Sequence, residues 1–175
     1  LLSSYGRLVR WSQEAGLLSK QSARRLLRKS LGDPGRAKQA LRRALNLRES
    51  IYRIFSRLAE GKAPAVKDLN SLNAAAGAAL SRLRVVAAPR GFAWDWKRKR
   101  RDLDWLLWPV ARSAADLLTS ENLARVRQCA DDRGCGWLFL DRSRNRSRRW
   151  CAMDDCGNRA KARRHYERHK KGDGG

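Results

Sequence analysis

The sequence predicts a mainly α-helical protein: a helical N-terminal domain with one small β-hairpin, then a compact four-cysteine module. Three observations carry this. Apolar residues recur at three-to-four spacing, between clear start and stop signals, through most of residues 1–119. One stretch, Val85 to Trp96, switches to a period of two around Pro89-Arg90-Gly91. All of the chain's cysteines fall in its last 47 residues.

Taken in order, Tyr5, Leu8, Val9 and Trp11 form one stripe of a helix that runs to about Ala15. Gly16 stops it, as glycine does just past a helix end. Ser19 is the expected N-cap of a second helix, with Ala23, Leu26, Leu27 and Leu31 as its apolar face. Asp33-Pro34 starts a third: a capping carboxylate, then proline at the first helical position. Ala37, Ala40, Leu41, Ala44, Leu45, Ile51, Phe55 and Leu58 extend it to Gly61. That makes roughly 25 residues, or about 37 Å. Arg48-Glu49 in its middle reads as an exposed charge pair, with a ligand contact as the alternative.

Pro64 is expected to open a fourth helix carrying Val66, Leu69, Leu72, Ala76, Ala79, Leu80 and Leu83. The hairpin follows, with Val85 and Val86 on one strand and Phe92, Trp94 and Trp96 on the other. The basic run Lys97 to Arg101 closes it. A fifth helix covers about Leu103 to Leu118, kinked or reset at Pro109. Trp94, Trp96, Trp105 and Trp108 cluster here. With Arg48 they are candidates for a ligand pocket, and packing of the hairpin on a helix is the competing reading. Thr119-Ser120 then breaks the helix and caps a new segment, Glu121 to Arg127.

The cysteines are Cys129, Cys135, Cys151 and Cys156, spaced C-x5-C, fifteen residues, C-x4-C. Two close thiol pairs flank a segment long enough for a β-hairpin. Trp137 to Leu140 reads as one strand, Asp141 to Arg149 as the turn, and Trp150-Cys151 as the returning strand. Gly134 and Gly136 let the backbone turn tightly around Cys135. Four thiolates at about 2.3 Å suit one tetrahedral zinc ion, with two disulfides as the alternative. About fifty residues with so small a core need such a staple, so the zinc is expected to be structural. The module is treble-clef or ribbon-like: hairpin, then a C-terminal helix that Asp154-Asp155 introduce. With four cysteine ligands no position is left for a catalytic water. The two histidines, His165 and His169, lie beyond a single tight site and are expected to be solvated or phosphate-facing.

Charge points to the partner. The formal net charge is +23, an excess that must lie on the surface and attract polyanions. Nucleic acid is the leading expectation. The field is spread along the whole chain, which also fits a generally solvated basic surface. Around the cysteines, the turn offers Arg142, Arg144, Asn145, Arg146, Arg148 and Arg149. The helix offers Asn158, Arg159, Lys161, Arg163, Arg164, Arg168 and Lys170. Asn158 and Arg159, near the helix start, are candidates for base edges, because Asn pairs with adenine and Arg with guanine. Bracing of the zinc thiolates is an equal alternative for these two. No stretch reaches the roughly 18 apolar residues of a membrane span. No membrane partner, secretion signal or catalytic constellation is visible, so a non-enzyme located in the cytoplasm, with the nucleoid, is expected. Leu1 already reads as pre-helical, which suggests that N-terminal residues precede it.

The stretch from Cys151 to Arg159, ending Cys156-Gly157-Asn158-Arg159, resembles the signature of the bacterial CGNR zinc-finger family. WLFLDRSRN and RRWCAM are similar to that family too. Residues 1–119 are similar to the helical ABATE domain that precedes such fingers, through LVRWSQEAGLLS, LRESIYRIF and LLWPVARSAADLL. The resemblance implies an ABATE domain over 1–119, without its extreme N-terminus, and a finger with basic tail over 120–175. It also implies a stress-related transcription regulator, with DNA favoured over RNA and a small-molecule effector for the helical domain. An RNA-binding or ribosome-associated protein remains open, as does a ligand-binding domain whose finger contacts protein. The chain departs from the family in having five residues, Ala130 to Gly134, between its first two cysteines where four are usual. It also lacks a short Asp/Asn-containing segment at the start.

Overall fold

The computed structural model describes residues 2–97, 102–131 and 134–172, the side chains of 167–172 excepted. Among these, six helices, α1 (Tyr5–Glu14), α2 (Lys20–Gly32), α3 (Pro34–Ala59), α4 (Val66–Leu80), α5 (Trp108–Leu118) and α6 (Asn158–Gly172), dominate. Two antiparallel pairs complete the fold: β1 (Leu83–Ala88) with β2 (Gly91–Trp96), and β3 (Val126–Gln128) with β4 (Leu138–Leu140). The chain divides into two compact units. One comprises Leu1–Ile51 and Ala65–Thr119, the other Tyr52–Pro64 and Ser120–Gly175.

The first unit follows its local signals closely. Ser4 caps α1 by accepting from the Arg7 N–H at 3.2 Å, and Gly16 sits at φ 72° beyond its end. Ser19 accepts from the Ser22 N–H, and Asp33 Oδ1 from the Arg36 N–H at 3.0 Å, so both expected caps form. The core gathers Tyr5, Leu8, Val9, Leu26, Ala40, Ala44, Ala79, Leu106 and Trp108 among others. Small residues on α3 and α4 let neighbouring side chains approach closely.

Several expected core positions are exposed instead. Trp11, Leu27, Leu31, Val66 and Leu80 are open to solvent. On α1 the buried stripe is completed by Ser12, whose hydroxyl donates to the Leu8 carbonyl at 2.9 Å and so needs no water. On α3, Leu47 and Ile54 are buried core residues that the assigned stripe omitted. Helix α4 starts at Val66, two residues after Pro64, with Ala65 as a cap that makes no side-chain hydrogen bond.

The expected hairpin forms, with Val85 opposite Trp94 and Ala88 opposite Gly91. Pro109 resets the chain: a 3₁₀ turn over Trp105–Leu107 ends where α5 begins, and the proline occupies its first turn.

In the second unit two expectations are corrected. Glu121–Arg125 is a single 3₁₀ turn, and Val126–Gln128 is then a strand. That strand, not Trp150-Cys151, pairs with β4, with Val126 opposite Leu140. The physical reason is that Asp141 and the following polar turn close on themselves, so the chain after Trp150 runs to the metal ligands outside a ladder. Just before it, the Arg149 carbonyl accepts from the Ala130 N–H at 2.8 Å. The end of α3 joins this unit. Tyr52 donates its hydroxyl to the Gly136 carbonyl at 3.1 Å, and Ser56 meets the Gln128 amide at 3.2 Å.

Candidate metal centre and the basic elements around it

Cys129 follows β3, and its N–H donates to the Trp137 carbonyl at 2.8 Å. Cys135 sits in the turn between Gly134 (φ 105°) and Gly136 (φ 60°), backbone conformations that side chains rarely adopt. A Cβ at Gly136 would also meet the Tyr52 hydroxyl at 3.1 Å. Cys151 comes from the loop before a π-turn, Met153–Gly157, and Cys156 lies within that turn. The turn wraps one residue more than an α-turn, which carries the Cys156 thiol inward.

The four sulfurs all lie within 4.8 Å of one another. Cys135 and Cys151 are 3.5 Å apart, Cys151 and Cys156 3.6 Å. A tetrahedron with about 2.3 Å zinc–sulfur bonds needs edges of about 3.7 Å, whereas a disulfide needs about 2.05 Å. All four cysteines are free thiols. The donor set therefore fits one zinc ion. Electrostatics agree. Burial raises the Cys151 and Cys156 thiols above their ordinary value. Burial acts the same way on Cys129, but the N–H groups of Cys151 and Asp131 outweigh it and leave that thiol lowered. Four thiolates so close together need a cation to balance them.

Around the sulfurs lies a shell of ion pairs. Arg159 donates from Nη2 to Cys156 Sγ at 3.1 Å and to Asp131 Oδ2 at 2.9 Å. Its Nη1 pairs with Asp155 at 2.9 Å. Arg163 reaches the other oxygen of Asp131 at 2.7 Å. Asp131 is 2% exposed and thus holds two arginines of α6 from a buried position. Asn158 donates to the Asp154 carbonyl at 3.1 Å, closing the π-turn onto α6.

The arginine turn is organised by Asp141, which is fully buried. Its carboxylate accepts from the Ser143 hydroxyl (2.7 Å), the Ser143 N–H (2.9 Å) and the Arg148 N–H (3.1 Å). Those bonds, the hydroxyl first, hold the carboxyl below its ordinary range despite burial. Arg142, Arg144, Asn145 and Arg146 are left on the outside, with Arg146 at φ 50°. Arg148, also exposed, folds back along the surface of the module. Its guanidinium lies 4.8 Å from the Phe139 ring centroid and donates to the carbonyls of Trp150 and Cys151. Arg149 lies 5.4 Å from the Trp150 ring centroid. On α6, Lys161 and Arg164 are exposed. The side chains of Arg168, His169 and Lys170 lie outside the described residues.

Residues 1–121 match the ABATE family model, described as "Putative stress-induced transcription regulator". The chain belongs to the ABATE family. Residues 125–169 match the CGNR zinc finger, so the metal centre just described is the centre of that finger. A comparison with curated proteins finds no match.

In the ABATE region, the structure places the expected pocket residues in several different environments. Trp105 is buried in the core, and Trp96 packs on Trp108 with centroids 5.8 Å apart. Trp94 lies under Arg112, and Arg48 pairs with Glu49. Of these, Trp108 lines a cleft of about 290 Å³. Leu47, Ala74, Ala75, Ala78 and Leu107 make its apolar wall, and Asn46 and Ser71 add polar groups. The Arg43–Asp104 ion pair, at 2.9 Å, sits at its edge.

Sequence reasoning missed Asp131, Asp141 and this cleft. Asp141-Arg142-Ser143 carries a readable signal, an Asp followed by Ser two residues on, which is the pattern of an Asx-turn. Asp131 has no such local mark.

Proposed function

We propose that the chain is a zinc-dependent nucleic-acid-binding protein, specifically a DNA-binding transcription regulator. The observation that carries this reading is the Asp141-ordered turn. A buried carboxylate spends three hydrogen bonds to fix a loop that exposes Arg142, Arg144, Arg146, Arg148 and Arg149. Fixed cations lose less entropy on meeting phosphate than flexible ones. The turn would grip the backbone, while α6, basic at Lys161 and Arg164, would lie against the groove. Arg159 is engaged with Cys156 and Asp131, which supports its bracing role. Asn158, exposed in the first turn of α6, spends one amide N–H on the Asp154 carbonyl and would offer its amide oxygen to a base edge. A zinc held by four cysteines would have no open coordination position, so its part would be structural and not catalytic. Such a regulator would work in the cytoplasm, on the nucleoid.

The cleft beside Trp108 supports a small-molecule effector for the ABATE region. Its wall is apolar and its one charge pair is self-neutralised, which suits a neutral, partly apolar compound.

The test is selection of bound sequences from a random duplex pool, with and without chelator. Enrichment that disappears on chelation is expected. Affinity should fall with salt with a log–log slope near −0.9 per phosphate contacted. A flat salt dependence, or stronger competition by structured RNA than by duplex DNA, would reject the DNA reading.

A further inference from the structure

The most exposed aromatic surface of the first unit belongs to neither the finger nor the cleft. On the β1–β2 hairpin, Val85 faces Trp94 and Ala87 faces Phe92 across the ladder, so all four share one face. That face is open: Phe92 is 81%, Trp94 60% and Val85 57% exposed. The strand base is anchored, because Trp96 packs on Trp108. The hairpin therefore offers an anchored platform: α5 meets this face at its base, through Trp108 and Arg112, and leaves Val85, Phe92 and most of Trp94 exposed. An exposed apolar face on an anchored element marks an interaction site.

The charges nearby select the occupant. Arg90 is exposed at the turn and Lys97 follows β2. The Arg112 guanidinium lies 5.5 Å from the Trp94 ring centroid. Arg84 pairs with Asp95 at 2.8 Å, and Arg112 with Asp116 at 3.5 Å. Four cations against two carboxylates leave the surroundings basic. A second copy of the chain is disfavoured, since each carries +23 and the apolar patch is small for a stable dimer. A polyanion with exposed flat rings satisfies both features. Residues two apart on a strand are about 6.7 Å apart, which lets Phe92 and Trp94 each take one unstacked base. Every base has a π-face, so such a platform tolerates any sequence.

We infer that the aromatic face of the β1–β2 hairpin is a stacking platform for single-stranded nucleic acid, with Phe92 and Trp94 as the base-stacking side chains and Arg90 and Arg112 as phosphate contacts. This surface is separate from the finger and does not depend on the DNA reading above.

The experiment measures binding of fluorescent single strands of roughly a dozen nucleotides, DNA and RNA in separate arms, to the zinc-loaded full chain by anisotropy. Phe92→Ala and Trp94→Ala should each weaken single-strand binding roughly tenfold, and the double variant more, at every salt concentration. The salt slope should stay unchanged in these variants, and shrink by about 0.7 in Arg90→Ala. Trp94→Phe should recover most of the affinity. Thermal midpoints verify that the variants are folded, as expected for exposed positions. Single-strand affinity unchanged in the double variant overturns the proposal. So does a change in oligomeric state with affinity intact, which would make the face a self-interface. Duplex binding measured in parallel, with Arg142→Ala and Arg144→Ala, reports on the finger alone, so the two readings fail separately.

Discussion

Arg159 donates to Cys156 Sγ at 3.1 Å while the same guanidinium grips the buried carboxylate of Asp131. One side chain thus joins a metal ligand, a residue two positions after another ligand, and the first turn of α6. An N–H donor on a thiolate draws off charge and fixes its direction toward the metal.

Replacing Arg159 should therefore loosen the metal. Arg159→Ala is expected to lower zinc affinity roughly 10–100-fold, read by competition with a chelator of known affinity. Arg159→Lys should recover only part, since an ammonium cannot hold Sγ and Asp131 together in one planar fork. Unchanged affinity in both would show that the contact is incidental.

Zinc removal should act on one unit. The chain is expected to hold one zinc, released on denaturation and counted with a metal dye. Chelation should make all four thiols reactive and change the environment of Trp137 and Trp150. Most of the helical ellipticity, supplied by α1 to α5, should survive. Thiols that stay unreactive after chelation would contradict a metal-held centre.

Asp141 makes a pH prediction. Its carboxyl is held below the ordinary carboxylate range, so the folded state binds fewer protons than the unfolded one. The contribution is complete above about pH 4 and is lost as pH falls through the depressed value. The Ser143 and Arg148 amides should be protected, relative to their intrinsic exchange rates, at neutral pH and lose that protection only as the carboxyl protonates. In Asp141→Ala both amides should exchange fast at all pH values, with zinc content retained.

Tyr5 makes the opposite one. Burial first, then the Asp104 charge, raises its phenol above the ordinary value. A raised acid gives stability that is complete below about pH 10 and fades as pH rises beyond it. Its hydroxyl donates to the Leu103 carbonyl at 2.7 Å. Tyr5→Phe should cost roughly 1–3 kcal/mol at neutral pH and flatten the alkaline loss of stability. Denaturant midpoints taken from about pH 8 to pH 11 check both effects.

Helix boundaries and the cysteine cluster were legible in the sequence because their signals are local. Ser19, Asp33 and Gly16 act within a turn of themselves, and the thiol spacing encodes its own geometry. Partners distant in sequence were not legible. Val126–Gln128 is too short to announce itself as a strand, and its pairing with Leu138–Leu140 depends on where Asp141 turns the chain. Leu27 and Leu31 fit a helical stripe but lie just off the buried one, which Ala23 and Leu26 define. The exposure of Phe92 and Trp94 was hidden because alternation identifies a strand without saying whether anything covers it. Asp131 was invisible for the same reason: only the arrival of Arg159 and Arg163 from α6 gives it a role.

Helix α6 has no continuous apolar stripe, and a helix of its length is marginal in water without tertiary support. The π-turn that carries Cys156 runs directly into it. Once loaded, four thiolates around a divalent ion make a centre of net charge −2, set at the positive end of the helix dipole. A bound metal would thus fix the first turn from which α6 winds, and helical order should fade with distance from Cys156.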